Sequence, residues 1–189
     1  MSVGKAFENW TRSWLARRAY GRSLDHLELR GDERVLEMGC GGGHAARVVL
    51  PRIPRGHYTG VDVDPWWVER ARRNLGAFPN TEVLLGDVRD LPLVLESFDL
   101  ALVHITLHDV PVADRAPIVE RLAHLLRPGG RLFVKEPTRE GHGMPASEVW
   151  ELAEAADLRE VRHRADHTVF LGPLVEAEFQ RPPTSSSRD

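Results

Sequence analysis

With 189 residues, of which 42% are hydrophobic and 28% charged, the chain has the length and ordinary globular composition for one domain with a sizeable core, which excludes a wholly disordered protein. Its formal net charge of -3 supplies no general electrostatic drive toward nucleic acid, and the cluster Arg12, Arg17, Arg18 and Arg22 fits a solvated helix face. One cysteine, Cys40, excludes an intrachain disulfide and a thiolate metal site; no run approaches the roughly twenty apolar residues of a membrane span and no apolar leader opens the chain, so a cytoplasmic protein is expected.

Residues 5 to 29 are expected to be helical, broken near Gly21, with Phe7, Trp10 and Trp14 forming one aromatic stripe that packs on a sheet, caps a substrate pocket or, third in order, meets a membrane surface. Gly31-Asp32 turns the chain into a first strand, Arg34 to Met38. That strand runs into Gly39-Cys40-Gly41-Gly42-Gly43-His44 and then into a helix that Pro51 and Pro54 end. Glycines at 39, 41 and 43 allow positive φ and let a ligand lie against the main chain, beside the positive end of a helix dipole.

The second strand, Tyr58 to Asp62, ends in an acid nineteen residues after Gly43. In a doubly wound sheet this spacing puts a carboxylate at the tip of the neighbouring strand, where it accepts from both ribose hydroxyls. Loop and acid together imply a nucleoside-containing cofactor. A dinucleotide fingerprint wants glycine three residues after Gly41, where His44 stands, so the register counts against nicotinamide. Asp64 is the expected N-cap of the next helix with Pro65 at its first position. Trp66 and Trp67 either shelve an adenine or pack in the core, and two adjacent tryptophans on a helix favour the core.

Gly76 ends that helix. Thr81 to Leu85 is the third strand, tipped by Gly86-Asp87, and Phe98 to Val103 is an apolar fourth strand fit for burial on both faces. An amphipathic helix, Asp114 to Leu126, is stopped by Pro128-Gly129-Gly130; Arg131 to Glu136 is the fifth strand and Ala146 to Ala156 a further helix. Two short strands follow near Arg159 to Arg164 and Thr168 to Leu174, joined by Ala165-Asp166-His167 and therefore antiparallel. Gln180 to Asp189, with two prolines and three serines, is expected to be a disordered tail.

The pattern Glu37-x-Gly39-x-Gly41-x-Gly43 resembles motif I of the class I S-adenosylmethionine-dependent methyltransferases, and Gly60-Val61-Asp62-Val63-Asp64 resembles their second motif. Leu85-Gly86-Asp87-Val88, Ser97-Phe98-Asp99-Leu100-Ala101-Leu102 and Leu126-Arg127-Pro128-Gly129-Gly130-Arg131-Leu132 continue the resemblance in the family's order, over roughly residues 34 to 136. The phrasing is most similar to the small-molecule branch that includes quinone-biosynthesis methyltransferases. The resemblance implies an α/β fold: a single doubly wound, seven-stranded, mostly parallel sheet with its last strand antiparallel. It divides the chain into an N-terminal helical cap (1–30), a catalytic domain (31–179) and a tail (180–189). It implies S-adenosyl-L-methionine as cofactor, held by Glu37, Gly39, Cys40, Gly41, Gly43, Asp62, Val63, Asp87, Val88 and Val103, with Asp87 on the adenine amino group. The partner implied is a small-molecule methyl acceptor whose identity and acceptor atom the motifs do not specify; the oligomeric state is equally unwritten. A nicotinamide-dependent oxidoreductase and a non-catalytic S-adenosylmethionine-binding protein are the alternatives.

Methyl transfer from a sulfonium is an in-line displacement whose main demands are alignment and desolvation. A hydroxyl or amine acceptor that must lose a proton would also use a general base. His104 and His108 after strand four, and Glu136 at the end of strand five, are the catalytic candidates on the ligand side of the sheet. His104 is favoured by position and His108 by likeness to the family. An unperturbed His104 would make turnover rise through about pH 6 to 7. Thr138 to Met144, a loop with glycines around His142, is either a mobile lid or an ordinary connection.

Overall fold

Side chains alternate along the strands, and that alternation sorts the core into two layers. In the computed structural model, which describes residues 24–168 and 171–183, Leu36 and Met38 of β1 (Arg34–Met38) face one way and Val35 the other. The pattern repeats on β4 (Phe98–His104), where Ala101 and Val103 alternate with Leu100 and Leu102, and on β5 (Leu126–Pro137), where Leu132 and Val134 flank Phe133. The first set packs with α3 (Val112–Leu125) and α4 (Ala146–Ala155); the second packs with α1 (Ala46–Val49) and α2 (Pro65–Leu75).

With β2 (His57–Asp62), β3 (Thr81–Leu85), β6 (Arg159–Thr168) and β7 (Gly172–Gln180), the strands form one seven-stranded sheet in the order β3-β2-β1-β4-β5-β7-β6. The first five strands are parallel to one another, and β7 is antiparallel to both neighbours. The expected fold is therefore the fold observed. Because β1 lies between β2 and β4, the chain reverses its direction of travel at β1, and the carboxyl ends of these strands open a crevice there.

Three local expectations are corrected. The first crossover helix is a single α-turn, Ala46–Val49, continued as a 3-10 turn over Leu50–Arg52, since Pro51 has no N–H for an α-type bond. The last hairpin does not turn at Ala165-Asp166-His167: these residues pair with Val175, Leu174 and Pro173. Asp166 instead takes the Lys135 ammonium, and the turn falls later, where Leu171 N donates to Thr168 Oγ1 and Gly172 adopts φ +71. The tail does not begin at Gln180, which closes β7; Arg181 N donates to Gly130 O and its guanidinium to carbonyls ending α3. The stripe Phe7, Trp10, Trp14 and most of the proposed 1–30 cap lie outside the described residues. No helix among the described residues is long and apolar enough to cross a membrane.

On β5, β7 and β6 the face that carries Phe133 also carries paired charges. Glu176 accepts from Lys135 Nζ and Arg164 Nε, both at 2.7 Å, and Glu178 from Arg131 Nη1 at 2.6 Å and Arg162 Nε at 2.7 Å. Both carboxylates are buried, each between two cations from the neighbouring strands. Lys135 is buried too, whereas Arg162 reaches solvent. Glu176→Ala should therefore cost about 3 to 5 kcal/mol, the range for breaking a buried pair, and Glu178→Ala clearly less. Urea unfolding of the two variants checks the order; equal losses would mean that burial of the cation does not set the cost.

Candidate active site

The glycine loop is pinned to the tips of β2 and β4 by its own backbone. Gly39 N and Cys40 N both donate to Val61 O, at 2.8 and 3.0 Å, and Asp62 spends one oxygen on Gly41 N (2.8 Å) and the other on Asp64 N (3.0 Å). Gly39 must be glycine because a Cβ there would stand 2.1 Å from Thr106 Cγ2 in the loop after β4. Gly41, at φ +49, faces open space with no atom within 4 Å of such a Cβ. Asp64 caps α2 as expected, accepting from Trp66 N at 2.8 Å.

This loop floors a cavity of about 660 Å³ at the carboxyl ends of β1 to β4. Of the expected cofactor set, Glu37, Gly39, Cys40, Gly41, Asp62, Val63, Asp87 and Val88 line it. Gly43 and Val103 do not. A Cβ on Gly43 would meet Leu75 Cδ1 at 2.9 Å, so that glycine serves the packing of α2, and Val103 is buried in the layer shared with α3 and α4. Trp67 lines the cavity and Trp66 is 47% exposed, so the core packing favoured for this pair is not what it does.

Two acids in the wall depart from ordinary behaviour. Glu37 is pushed up to about 8 by burial, although the Tyr58 hydroxyl donates to it, and the charge of Asp62 adds to the rise. Its environment favours the protonated carboxyl. Asp87 is held below the usual carboxylate range by Arg89, whose Nε and Nη2 fork its two oxygens at 3.0 and 2.7 Å. The third nitrogen of Arg89 reaches Asp114 Oδ1 at 2.6 Å, tying the tip of β3 to α3. Arg89 and Asp114 carry no motif signal and escape a sequence reading.

The three catalytic candidates separate. His104 lines the cavity but burial and the nearby Lys135 charge lower its pKa to about 3, so it is neutral throughout the physiological range. That places its titration below the pH 6 to 7 expected of an unperturbed imidazole. Glu136 is 0% exposed and lies behind the cavity wall. Its carboxylate accepts from Thr106 N (2.9 Å), Leu107 N (2.7 Å) and His108 N (3.3 Å), and its Oε2 lies 2.6 Å from His108 Nδ1. Since a carboxylate only accepts, the proton sits on Nδ1 and Nε2 is left for other partners. Nε2 lies 3.5 Å from Asp109 Oδ1, and the His142 ring meets the His108 ring edge-on with centroids 5.6 Å apart. Burial of His108 opposes its protonation, but the hydrogen bond and charge of Glu136 outweigh it and hold the imidazole above its ordinary value. His142 also lines the cavity; its glycine-flanked loop was the only signal for it. Among the described residues no group of three His, Cys, Asp or Glu side chains is placed to hold a metal ion.

A family model described as a methyltransferase domain matches residues 35–130. A protein of Streptomyces fradiae, described as an uncharacterized 37.1 kDa protein in transposon TN4556, is 39% identical over 115 residues, covering 60% of this chain and 33% of its own. The probable phthiotriol/phenolphthiotriol dimycocerosates methyltransferase 2 of Mycobacterium ulcerans is 34% identical over 151 residues, covering 77% of this chain and 54% of its own. The chain thus spans between a third and about half the length of these curated relatives. Among solved structures, the 1,6-didemethyltoxoflavin-N1-methyltransferase of Burkholderia thailandensis superposes with a TM-score of 0.76 at 20% identity, covering 96% of this chain and 84% of that one. That likeness concerns the fold.

The His108–Glu136 pair has a pH signature. A histidine raised by its partner contributes stability that is full below the unfolded-state value near pH 6.5 and is lost as the pH rises through the folded value. Thermal melts between about pH 5 and about pH 9 should show His108→Asn less stable than the parent at the acid end, with the difference shrinking as pH rises. A gap independent of pH would mean that the imidazole is not charged by its partner.

Proposed function

We propose, since the chain belongs to the family of methyltransferase domains, that it transfers a methyl group from S-adenosyl-L-methionine to a small molecule. The observation that carries this reading is the convergence of the open Gly41 backbone, Asp62 and Asp87 in one cavity with His108. The cavity has room where Gly41 lacks a side chain, and its walls carry acids suited to the polar ends of such a cofactor. Asp62 would take the ribose hydroxyls on lone pairs left over from Gly41 and Asp64. Asp87 and Val88 would take the adenine edge, and Glu37 would ionise to meet the ammonium of the amino-acid end. The cofactor, when bound, supplies the activated methyl group.

The remaining task is the acceptor's proton. His108, with Nδ1 committed to Glu136, has Nε2 available as a base toward a hydroxyl or amine, and Glu136 raises its basicity as second-sphere carboxylates do. Glu136 acts through His108 and not on the acceptor. His104, neutral in the wall, orients and shapes. A cytoplasmic setting is in keeping with this reading.

Titration calorimetry tests the cofactor: S-adenosylmethionine should bind and NAD should not. Asp62→Asn should weaken S-adenosylmethionine at least about tenfold, because hydrogen bonds to a charged group are worth about 1.5 to 3 kcal/mol each. Affinity within twofold of the parent would remove Asp62 from the site. In a methyl-acceptor panel, His108→Gln should lower turnover by about 10²- to 10⁴-fold and flatten the acid limb of the pH profile, while His104→Gln should leave the shape of that profile intact. The opposite assignment would follow if only His104→Gln changed it.

A further inference from the structure

The loop that carries His108 is held from two sides, and only one of the holders is on β5. Glu136 collects its N–H groups. Its carbonyls go elsewhere: Arg115, a buried arginine in the first turn of α3, donates from Nε to Val110 O at 3.0 Å and from Nη2 to His108 O at 3.0 Å. The remaining nitrogen, Nη1, lies 2.9 Å from both oxygens of Glu148 on α4. The planar guanidinium thus spends its fork on two carbonyls that flank Asp109 and is itself fixed by a carboxylate from a different helix.

We infer that Arg115 is a positioning residue for methyl transfer, holding the backbone of residues 108–110 so that the His108 ring stays on Glu136 and presents its second nitrogen to the acceptor. The inference rests on the function proposed above but concerns the ring's placement. The loop needs this restraint because Ile105, at φ +58, kinks the chain at the end of β4, and from there to Val112 the segment has only one 3-10 turn of its own. A loop held only at its N–H groups could still rotate His108 away from Oε2. Held at both edges, it has one orientation.

The charged and titratable groups facing His108 are Glu136 from β5, Asp109 from its own loop, Arg115 from α3 and His142 from the loop after β5. They make the test a matter of sign. As a mere neighbouring cation Arg115 disfavours the imidazolium, so its removal would move the His108 titration upward. As the residue that keeps the ring on Glu136, its removal should move the titration downward, toward the ordinary value near 6.5.

Nuclear magnetic resonance titration of the imidazole signals, with His108 assigned by its absence in His108→Asn, reads this without any methyl acceptor. Arg115→Gln should shift His108 down and mix the two neutral tautomers; Glu148→Gln, which keeps Arg115 and its carbonyl bonds, should leave both as in the parent. An upward shift in Arg115→Gln, or an equal downward shift in Glu148→Gln, overturns the proposal, the second because helix packing would then suffice. Should Arg115→Gln not fold, Arg115→Lys carries the test: a point charge cannot span both carbonyls and Glu148, so an intermediate shift is expected, and parent behaviour would overturn it. Calorimetry with S-adenosylmethionine runs alongside. Parent protein that fails to bind it would sink the proposed function and leave the His108 result standing; Arg115→Gln that loses it while the parent binds would mean Arg115 supports the whole cavity, and would overturn the positioning role.

Discussion

Four N–H groups converge on one buried carboxylate at the end of β5, and the working side of this molecule depends on that convergence. Glu136 sits where the sheet's fifth strand ends, and it accepts from three successive backbone amides of the next loop over and from a ring nitrogen. Burying a carboxylate without partners is costly, so the side chain in effect demands that the loop bend back over it. The bend brings Thr106 down onto Gly39, where any larger residue would collide. One interaction therefore sets both the pose of His108 and the closeness of the β4 loop to the glycine loop.

The parallel half of the sheet supplies the geometry in which such a hub is useful. With β1 between β2 and β4, the tips of four strands deliver Glu37, Asp62, Asp87 and His104 to one rim. Their environments then push chemically similar groups apart. Burial pushes the Glu37 carboxyl up, while the Arg89 fork holds that of Asp87 low. Likewise His104 is kept neutral by burial while His108 is made basic by its carboxylate. Separate roles for paired groups follow from dielectric and hydrogen bonding, not from residue type.

The antiparallel half answers a different need. On the face carrying Glu176 and Glu178, each carboxylate lies between cations of β5 and β6, and Arg131 and Arg162 also donate to the carbonyls of Glu28 and His26. Lys135 belongs to this ladder, yet it is also the register partner of His104 and the source of part of its depressed pKa. Structural charge at the sheet edge thus reaches the cavity wall through a single pair of adjacent residues.

The amino-acid sequence by itself determined the parallel strands, their order of use and the glycine loop, because those signals are local: an apolar run, a glycine register, an acid at a strand tip, Asp64-Pro65 at a helix start. Eight of the ten expected cofactor residues line the cavity for that reason. Gly43 lies outside the cavity lining and packs against Leu75, a use of glycine that looks, in a sequence, like one made for a ligand. The hairpin turn was misplaced because Asp166 carries a turn residue's chemistry but spends it on Lys135, a partner 31 positions away. Only the tertiary structure separates His104 from His108: one ends β4 and the other lies in the loop after it, and what differs is burial with a lysine beside the first and, 28 residues further along the chain, a carboxylate against the second. Basicity is set by neighbours in space, and neighbours in space are what a linear sequence does not state.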